Sequence, residues 1–316
     1  MGAILVDSVI WKRSLIEMTL SSEISELVVV TGASAGIGAA TARALAERGF
    51  HVLAGVRRDR DALAIRGPGV EPLILDITEP DHIRALAERV AADPRRRRLR
   101  AVVNNAAVQA NVPIEVFPID EWRRMFEVNL FGQVAVIQAL LPALIPAKGR
   151  VVNISSVGGR VAMASYGPYA ATKFALEAVS DALRRELAAC GVGVVVIEPG
   201  AVRTEMLERA IAAAGELVST MTSEQSVRYG ALVHAVNNQA ASSTESGVPA
   251  DAAAKVIVKA VTARRPRTLY PVGREAALIR WLPLLPDRTL DRVLATALRS
   301  HYPAGDRDTS NLLCYK

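Results

Sequence analysis

Short runs of apolar, mostly β-branched residues alternate along the chain with longer segments in which apolar residues recur at helical spacing. This alternation predicts seven strands, at Leu27–Thr31, His51–Val56, Pro72–Asp76, Arg100–Asn104, Arg150–Ser155, Gly193–Glu198 and Arg267–Pro271. It predicts helices between them, at Ile37–Arg48, Pro80–Ala92, Ile119–Leu144, Pro168–Ala189 and Ala250–Ala263. Strands that alternate with helices form βαβ units around a parallel sheet. The fold class that we expect is α/β, a doubly wound parallel sheet with helices on both faces.

The alternation is continuous, without an internal repeat or a Ser/Gly-rich linker, which predicts a single domain over residues 27–300. Residues 1–26 match no βαβ element and form an N-terminal extension, in which Met18 is an alternative start; residues 301–316 form a polar tail. The irregular segment Glu205–Val248 follows a strand, where open α/β sheets carry their ligand loops. We expect a partly helical substrate lid there, with a solvated insertion as the alternative.

The composition favours a folded protein with an anionic partner. Of the 316 residues, 51% are hydrophobic and 22% charged, a balance typical of soluble globular domains. The formal charge of +6 favours anionic partners such as phosphorylated cofactors. Cys190 and Cys314 have no metal-ligand spacing and the histidines are scattered, so we expect no metal site and a reducing compartment.

Neither a membrane-spanning segment nor a secretory signal is expected from the hydropathy pattern. No apolar run approaches the ~20 residues that a spanning helix needs, and Met1–Asp7 lacks a basic region before its apolar residues. We therefore expect a cytoplasmic protein. The apolar stripe at Leu278–Leu298 leaves three interpretations open: packing on the sheet, packing on a partner subunit, or peripheral contact with a membrane.

A glycine-rich turn joins the first predicted strand to the first predicted helix. Gly32, Gly36 and Gly38 occur there, with only small side chains between them. Glycines let a backbone approach a pyrophosphate closely, and the helix N-terminus offers free N–H groups and a positive dipole end. The turn therefore predicts a dinucleotide site, and a tight turn that binds nothing is the alternative.

Two arginines follow the second predicted strand. Arg57 lies nineteen residues after Gly38, where NAD-preferring sites usually carry a carboxylate for the adenosine ribose. Because Arg57 and Arg58 can bind a 2′-phosphate through charge-assisted hydrogen bonds, they predict a preference for NADP. Solvated arginines at a strand end are the alternative, and Asp59 and Asp61 are expected to open the next helix as cap residues.

A tyrosine and a lysine lie one helical turn apart at Tyr169 and Lys173. A phenol has an ordinary pKa of about 10, so it needs a nearby cation to act as an acid and base at neutral pH. Lys173 is expected to supply that cation and lower the pKa of Tyr169. Ser156, which ends a predicted strand thirteen residues before Tyr169, is expected to face the same crevice.

Further motifs occur in order along the same alternating pattern. They are Asn104–Ala107 after the fourth strand, Asn129 in a helix, and Pro199–Gly200 after the sixth strand. With the glycine turn and the Ser-Tyr-Lys set, they resemble the short-chain dehydrogenase/reductase family, densely from Leu27 to Met206. The resemblance implies a Rossmann fold and a role for Asn129 in holding a water of a proton relay to the lysine.

The resemblance also implies which residues contact the cofactor. Ser156, Tyr169, Lys173 and Asn129 match the catalytic set of the family. Asp76 matches the adenine contact, Asn104 the residue that steadies the central sheet, and Thr204 the carboxamide contact. The full predicted cofactor set is Thr31, Gly32, Ser34, Gly36, Ile37, Gly38, Arg57, Arg58, Asp76, Ile77, Asn104, Ala106, Tyr169, Lys173, Pro199, Gly200, Val202 and Thr204.

Two positions depart from the family pattern. Ala107 stands where glycine is frequent, a minor change, and Ala35 stands where many NADP-using members carry a basic residue. Arg57 and Arg58 would therefore bear the NADP preference alone. The segment Val151–Met206 and the ending around Arg280–Arg299 are similar to the branch that contains retinol and 17β-hydroxysteroid dehydrogenases, which implies an apolar alcohol or carbonyl substrate. The predicted helices Ile119–Leu144 and Pro168–Ala189 are long and apolar on more than one face. Such helices pair across a dimer interface in this family, which implies a homodimer or homotetramer.

The expected function is hydride transfer between NADP(H) and such a substrate, with Tyr169 as general acid and base. A catalytically silent cofactor-binding scaffold or sensor of the same fold is the alternative. Pro94–Arg98 contains four consecutive arginines that suggest a nucleic-acid contact. No aromatic or reader motif accompanies them, so we expect no nucleic-acid partner.

Overall fold

A seven-stranded sheet forms the centre of the molecule, and all of its neighbouring strands are parallel, in the order β3-β2-β1-β4-β5-β6-β9. The computed structural model describes residues 26–303, and the predicted doubly wound α/β fold is confirmed. The predictions about an extension within 1–25, an alternative start at Met18 and the tail beyond residue 303 lie outside the described residues.

The strands are short and their bounds agree closely with the hydrophobic runs. They are β1 Leu27–Val30, β2 His51–Val56, β3 Val70–Ile74, β4 Leu99–Asn104, β5 Arg150–Ile154, β6 Gly193–Pro199, β7 Val202–Arg203, β8 Val248–Pro249 and β9 Leu269–Val272. The pair β7 and β8 forms a separate small parallel sheet. β1 shows why runs of four to six apolar residues are strands here: it lies between β2 and β4, and all four of its residues are buried.

Helices cover both faces of the sheet. Their bounds are α1 Gly36–Ala46, α2 Asp59–Ile65, α3 Pro80–Ala91, α4 Ile119–Phe126, α5 Gly132–Ala147, α6 Gly167–Glu186, α7 Glu205–Val218, α8 Ser223–Ser246, α9 Ala250–Thr262, α10 Arg274–Ile279 and α11 Asp287–Arg299. Two hydrophobic clusters result, one on each side of the strands: α1 and α9 contribute to one, and α3 and α5 to the other. Asp59 and Asp61 lie in the first turn of α2, whose N-cap residue is Arg58.

The third strand differs most from its prediction. It starts two residues earlier than expected, at Val70, and ends at Ile74, so Asp76 lies in the turn beyond it. Pro72 lies inside the strand and pairs with Ala54. A proline is tolerated there because β3 is an edge strand, where one side needs no ladder hydrogen bonds.

The long predicted helix Ile119–Leu144 is divided into α4, a π-helical turn at Glu127–Phe131, and α5. A π turn inserts one extra residue, so it rotates the side chains that follow it. Periodicity of apolar residues does not reveal such an insertion, which explains why the sequence predicts one helix. The turn carries Asn129 and buries it completely.

By length and composition, the segment Ile119–Ala147 is the one helical stretch of the described residues that is apolar enough to cross a membrane. The expectation that no segment meets this requirement is therefore wrong. In the structure, the segment packs on the sheet, with Val136, Ile137, Leu140 and Leu144 buried in one of the two clusters. Its apolar residues thus contribute to the core of the domain.

The segment Glu205–Val248 is more regular than expected. Apart from a short connection, it consists of α7 and α8 and ends at the small strand β8. Ala210 and Ala214 of α7 are buried, so this helix packs inward and is not a solvated insertion. Whether the segment acts as a lid stays a prediction.

The C-terminal stripe does not pack on the sheet. Helix α11 buries none of its residues, and Leu278, Trp281 and Leu284 before it are exposed. The Arg280 guanidinium lies over the Trp281 ring, 4.9 Å from its centre. This surface is open to a partner or to solvent in the described part of the chain.

One of the four consecutive arginines has a structural role. The buried Arg97 forms an ion pair with Asp93, with 2.6 Å between Nη2 and Oδ1. These hydrogen bonds hold the pKa of Asp93 well below its ordinary value. The ion pair closes the turn before β4. It also neutralises one of the four arginine charges on which a nucleic-acid contact would depend.

Candidate active site

The glycine turn lies between β1 and α1, at the carboxyl edge of the sheet. Gly32 and Gly36 have φ angles of +64° and +54°, in the left-handed region that favours glycine. A Cβ at Gly38 would lie 2.3 Å from the Gly32 carbonyl oxygen, and one at Gly32 would lie 2.7 Å from the Ala106 Cα. The three predicted glycines are therefore required by the backbone itself.

Side chains of β1 and β4 hold this turn in place. The Thr31 hydroxyl accepts hydrogen bonds from the N–H groups of Asn105 and Ala106, each at 3.0 Å. The Asn105 amide donates to the carbonyl oxygens of Thr31 and Gly32, also at 3.0 Å. Thr31 and Ala106 thus lie at the turn, as predicted, and Asn105 joins them although the sequence analysis gave it no individual role.

The N-terminus of α1 is available to an anion. Ala35 at the N-cap position makes no side-chain hydrogen bond, and the first turn contains no acidic residue. Uncapped N–H groups and the positive end of a helix dipole bind phosphate groups. Ser34 is exposed beside them, whereas Ile37 packs against the core. This arrangement fits the pyrophosphate of a dinucleotide.

Arg57 and Arg58 follow β2 next to the same turn. The Gly55 carbonyl accepts a hydrogen bond of 2.9 Å from the Ala33 N–H, which ties the end of β2 to the glycine turn. Both arginine side chains are exposed. They therefore place two exposed cations at the side of the turn where the adenosine end of a dinucleotide would lie in a doubly wound fold.

The predicted residues after β3 lie in a compact turn. The Asp76 carboxylate accepts hydrogen bonds from the Thr78 N–H at 3.0 Å and from the Thr78 hydroxyl at 2.8 Å. Ile77 is buried, and its carbonyl oxygen lies 2.5 Å from the place that a Cβ on Gly132 would occupy. Asp76 is thus held by its own turn, at the carboxyl edge of the sheet.

Asn104 links the two central strands β4 and β5. Its amide donates to the Asn153 side-chain oxygen at 3.0 Å, and the Asn153 amide donates to the Ser180 hydroxyl at 2.8 Å. Within residues 26–303, the buried Asn104 Oδ1 atom has no hydrogen-bond partner. The contact with Asn153 agrees with the sheet-steadying position that the family resemblance implied.

Residues after β6 approach the glycine turn from the other side. The β-carbon that Gly36 lacks would lie 3.0 Å from the Thr204 methyl group, so Thr204 borders the turn. Pro199 ends β6, and the Gly200 N–H donates to β9. Val202 is buried in the small sheet.

The predicted Ser-Tyr-Lys set comes together at the end of β5 and the start of α6. Tyr169 is 5% exposed, and the Ser156 hydroxyl acts on its phenol. The Ser156 hydroxyl also accepts a hydrogen bond of 3.0 Å from the Gly158 N–H. The Lys173 ammonium donates to the Ile154 carbonyl oxygen at 2.8 Å, and its Nζ lies 5.7 Å from the centre of the Tyr169 ring.

The acid–base properties of this set differ from the expectation. Burial raises the pKa of Tyr169 to about 12, although the Ser156 hydrogen bond opposes the shift. Burial also lowers the pKa of Lys173 to about 8, against the influence of the Glu177 carboxylate. The expectation that Lys173 lowers the pKa of Tyr169 is wrong for this structure, because desolvation prevails and the ammonium donates to a backbone carbonyl. The phenol keeps its proton at neutral pH.

Asn129 connects the π turn to the loop after β4. Its side-chain oxygen accepts from the Val108 N–H and its amide donates to the Val108 carbonyl, both at 2.8 Å. The same amide donates to the Thr172 hydroxyl at 3.1 Å, and this hydroxyl donates to the Tyr169 carbonyl. Asn129 therefore braces the first turn of α6.

A cluster of apolar side chains packs around Tyr169. Its buried members come from the loop after β4, from α4, from α6 and from α7: Ala110, Val112, Phe117, Met125, Tyr169 and Ala214. Leu217 and Tyr166 pack against them. Helix α7 thus contributes apolar side chains to the cluster that contains the predicted catalytic tyrosine.

The sequence analysis missed a charged cluster behind Lys173. Glu177 lies one helical turn beyond Lys173, and Arg160 contacts both Glu177 and Glu198. The spacing of Glu177, four residues after the lysine, is a signal that could have identified it. Arg160 and Glu198 lie on other elements, and only the fold brings them close.

Comparisons with known proteins agree with this geometry. The family described as short chain dehydrogenase matches residues 26–215. An NADPH-dependent 3-dehydrocapnine reductase of Ornithobacterium rhinotracheale is 33% identical over 86% of this chain and 96% of that protein. Retinol dehydrogenase 5 of Homo sapiens is 35% identical over 86% of this chain and 88% of its own length.

A solved structure supports the same assignment. The crystal structure of a short chain dehydrogenase from Burkholderia cenocepacia J2315 in complex with NADP matches with a TM-score of 0.67 and 26% identity, over 85% of this chain and 97% of the other. The family match, the relatives and the fold thus indicate the same family. The chain is an oxidoreductase that belongs to the short-chain dehydrogenase/reductase family, and it is related to the retinol dehydrogenases of that family.

Proposed function

We propose that the chain transfers a hydride between the nicotinamide of NADP(H) and an apolar alcohol or carbonyl compound, with Tyr169 as general acid and base. The observation that carries the proposal is the buried phenol of Tyr169, next to Ser156 and Lys173 and within an apolar cluster to which α7 contributes. A screen of ketones, aldehydes and alcohols, followed through nicotinamide absorbance, tests it. Binding of the dinucleotide without turnover of any member would contradict it.

The protonation state of Tyr169 favours the reductive direction. When bound, the dinucleotide supplies the hydride that a carbonyl carbon accepts. Negative charge then develops on the carbonyl oxygen, and Tyr169 donates its proton there while Ser156 donates a hydrogen bond. Because the pKa of Tyr169 is about 12, the phenol remains available as an acid throughout the neutral range. In oxidation, Tyr169 must first lose its proton, so the rate of oxidation should increase with rising pH.

Lys173 and Asn129 position this acid. The Lys173 ammonium is anchored on the Ile154 carbonyl, which leaves its other N–H groups for a ribose hydroxyl of the cofactor or a water. Asn129 steadies the turn of α6 that carries Tyr169 through Thr172, and we propose that it also holds the water of the proton relay. The predicted cofactor residues around the glycine turn, the end of β3 and the end of β6 would hold the dinucleotide.

We expect the double variant Arg57→Ala/Arg58→Ala to lose its preference for NADPH. Proteins of this fold are found with NADP or with NAD, so the fold alone does not decide the cofactor. The proposed preference for NADP therefore depends on Arg57 and Arg58. Loss of charge-assisted hydrogen bonds to a 2′-phosphate costs about 1.5–3 kcal/mol, so the Kd of NADPH should rise about tenfold or more. The Kd of NADH should change little. Fluorescence titration measures both constants.

Arg60→Ala is the matched control for the double variant. Arg60 is an exposed arginine of the same segment that lies beside Asp61, and its loss should leave the ratio of the two Kd values unchanged. If the double variant keeps the wild-type ratio, the arginine pair does not bear the preference. The hydride-transfer proposal would survive that result, because it depends on Tyr169.

The apolar cluster around Tyr169 predicts a dependence on substrate size. For linear ketones, each added methylene should raise kcat/KM by up to about fourfold, because burial of one methylene is worth about 0.8 kcal/mol. The series should level off once further methylenes are no longer buried against these side chains. Matched ketones with a terminal carboxylate should react far more slowly, since a charge is costly to bury. A flat series would contradict the apolar substrate class.

Three further proposals concern the whole chain. Exposed apolar side chains on α4 to α6 and the π turn, namely Ile119, Phe131, Ile145 and Phe174, support a homodimer or homotetramer. The exposed free thiol of Cys190 suits a reducing compartment such as the cytoplasm. The continuous sheet supports one catalytic domain over residues 27–300, with the irregular segment Glu205–Val248 as its lid.

A further inference from the structure

Helix α6 presents three functional groups in a row to the end of β5. Tyr169, Lys173 and Glu177 follow one another at intervals of four residues, so they share one face of the helix. The Ser156 hydroxyl acts on the Tyr169 phenol, and the Lys173 ammonium donates to the Ile154 carbonyl. The third member of the row, Glu177, has no part in the proposed reaction.

Glu177 is buried in a cluster of charges. It is 8% exposed, and Lys173 is 2% exposed. One carboxylate oxygen of Glu177 accepts from the Arg160 guanidinium at 3.1 Å, and the same guanidinium donates to the buried Glu198 of β6 at 2.5 Å. The groups that act on Glu177 are therefore Lys173 and Asp181 on its own helix, Arg160, Glu198, and the hydroxyl of Ser155.

The strand side of this cluster is closely packed. A Cβ on Gly159 would lie 2.7 Å from the Ser155 hydroxyl oxygen and 3.2 Å from the Glu177 Cγ. Ser155 and Glu177 therefore both pack closely around Gly159. The Ser155 hydroxyl also acts on the Glu177 carboxylate, so packing, this hydroxyl and the Arg160 guanidinium set the position of the carboxylate.

We propose that Glu177 is a positioning residue of the active site, whose buried carboxylate, held by Arg160, keeps the Lys173 ammonium charged and in place against the Ile154 carbonyl. This inference rests on the proposed function, because it concerns Lys173, which positions the acid Tyr169 in the proposed reaction. Glu177 contacts neither substrate nor cofactor and acts only through the lysine.

The physical reason is the cost of an isolated buried charge. An ammonium removed from water readily loses its proton unless an opposite charge is near, and such a charge shifts a pKa by about one unit or more. Burial lowers the pKa of Lys173 to about 8, and the Glu177 carboxylate is the group that opposes this shift. Burial raises the pKa of Glu177 to about 7. The Glu177 carboxylate is therefore ionised above neutral pH, in the range where Lys173 begins to lose its proton.

The test compares pH profiles of kcat/KM for carbonyl reduction in the wild type, Glu177→Gln and Glu186→Gln. Loss of the carboxylate should lower the alkaline pKa of the profile by about one unit. At pH 8 the variant should then be about fivefold slower than the wild type, whereas at pH 6 the two should be nearly equal. Glu186 is an exposed glutamate of the same helix, and its substitution should leave the profile unchanged.

Urea unfolding supplies a readout that does not depend on activity. Because the pKa of Glu177 is raised above its ordinary value of 4.5 to about 7, its contribution to stability is present below pH 4.5 and is lost as the pH rises through 7. The unfolding midpoint of the wild type should therefore fall, relative to that of Glu177→Gln, between pH 5 and pH 8. Glu186→Gln should follow the wild type.

The outcomes separate the two proposals. In an active Glu177→Gln variant, a fall of kcat/KM at the same alkaline pH as in the wild type, that is, an unshifted alkaline limb of the profile, overturns the role of Glu177. It leaves the proposed function intact. Absence of turnover in the wild type contradicts the proposed function, and the unfolding series then still tests the buried carboxylate. If Glu177→Gln does not fold, Glu177→Asp replaces it: retention of the wild-type alkaline limb supports a charge effect, and a limb shifted by a full unit contradicts it.

Discussion

Replacement of Tyr169 by phenylalanine is expected to lower kcat for carbonyl reduction by roughly 10²–10⁴-fold, the range that general acid catalysis contributes. The variant lacks the proton that the developing alkoxide needs, whereas the glycine turn and the arginine pair are untouched. The Kd of NADPH should therefore stay within about twofold of the wild-type value. Single-turnover absorbance and fluorescence titration measure the two quantities separately.

Tyr270→Phe is the matched control for this experiment. The Tyr270 hydroxyl is in β9 and accepts a hydrogen bond from the Arg267 N–H, so its loss should cost about 1 kcal/mol of stability and leave kcat unchanged. A Tyr169→Phe variant with wild-type turnover would refute the assigned role. It would leave a cofactor-binding scaffold or sensor as the better hypothesis.

The second large effect is expected for Gly38→Ala. The added methyl carbon would lie 2.3 Å from the Gly32 carbonyl oxygen and 2.5 Å from the Asn105 amide nitrogen. Because a backbone oxygen cannot move aside as a side chain can, the glycine turn itself must shift. We expect a loss of about 1–3 kcal/mol in the free energy of unfolding and a rise of about tenfold or more in the Kd of the dinucleotide.

Gly230→Ala shows whether a methyl group alone has such an effect. Gly230 lies inside α8, and a Cβ there would meet no atom within 4 Å. Because alanine favours a helix interior over glycine, this variant should gain about 0.5–1 kcal/mol. Urea unfolding and cofactor titration of both variants provide the comparison. Wild-type cofactor affinity in Gly38→Ala would show that the turn does not hold the dinucleotide.

Much of the fold could be predicted from local patterns. β2 is predicted to the residue, and the glycine turn is recognisable because a tight strand-to-helix connection requires residues without a Cβ. The errors occur where tertiary context outweighs local preference. Pro72 enters a strand because that strand is at an edge, and a π turn that apolar periodicity does not reveal divides the helix around Asn129.

The candidate site divides in the same way. The spacing of Tyr169 and Lys173 predicted that they share a helix face, but it did not predict that the ammonium would donate to the Ile154 carbonyl. It also led to the wrong direction for the pKa of Tyr169, because spacing describes neighbours along a helix and says nothing about the water that packing removes. Burial sets that pKa.

The sequence by itself determined the order of strands and helices, the glycines of the turn and the chemical groups available at the carboxyl edge of the sheet. Local backbone sterics and the periodicity of apolar residues suffice for these features. Only the tertiary structure decided which groups are desolvated, which charges face one another, and that Arg160, Glu177 and Glu198 meet behind Lys173. Desolvation and charge pairing depend on distances between segments far apart in the chain, and these distances exist only in the folded protein.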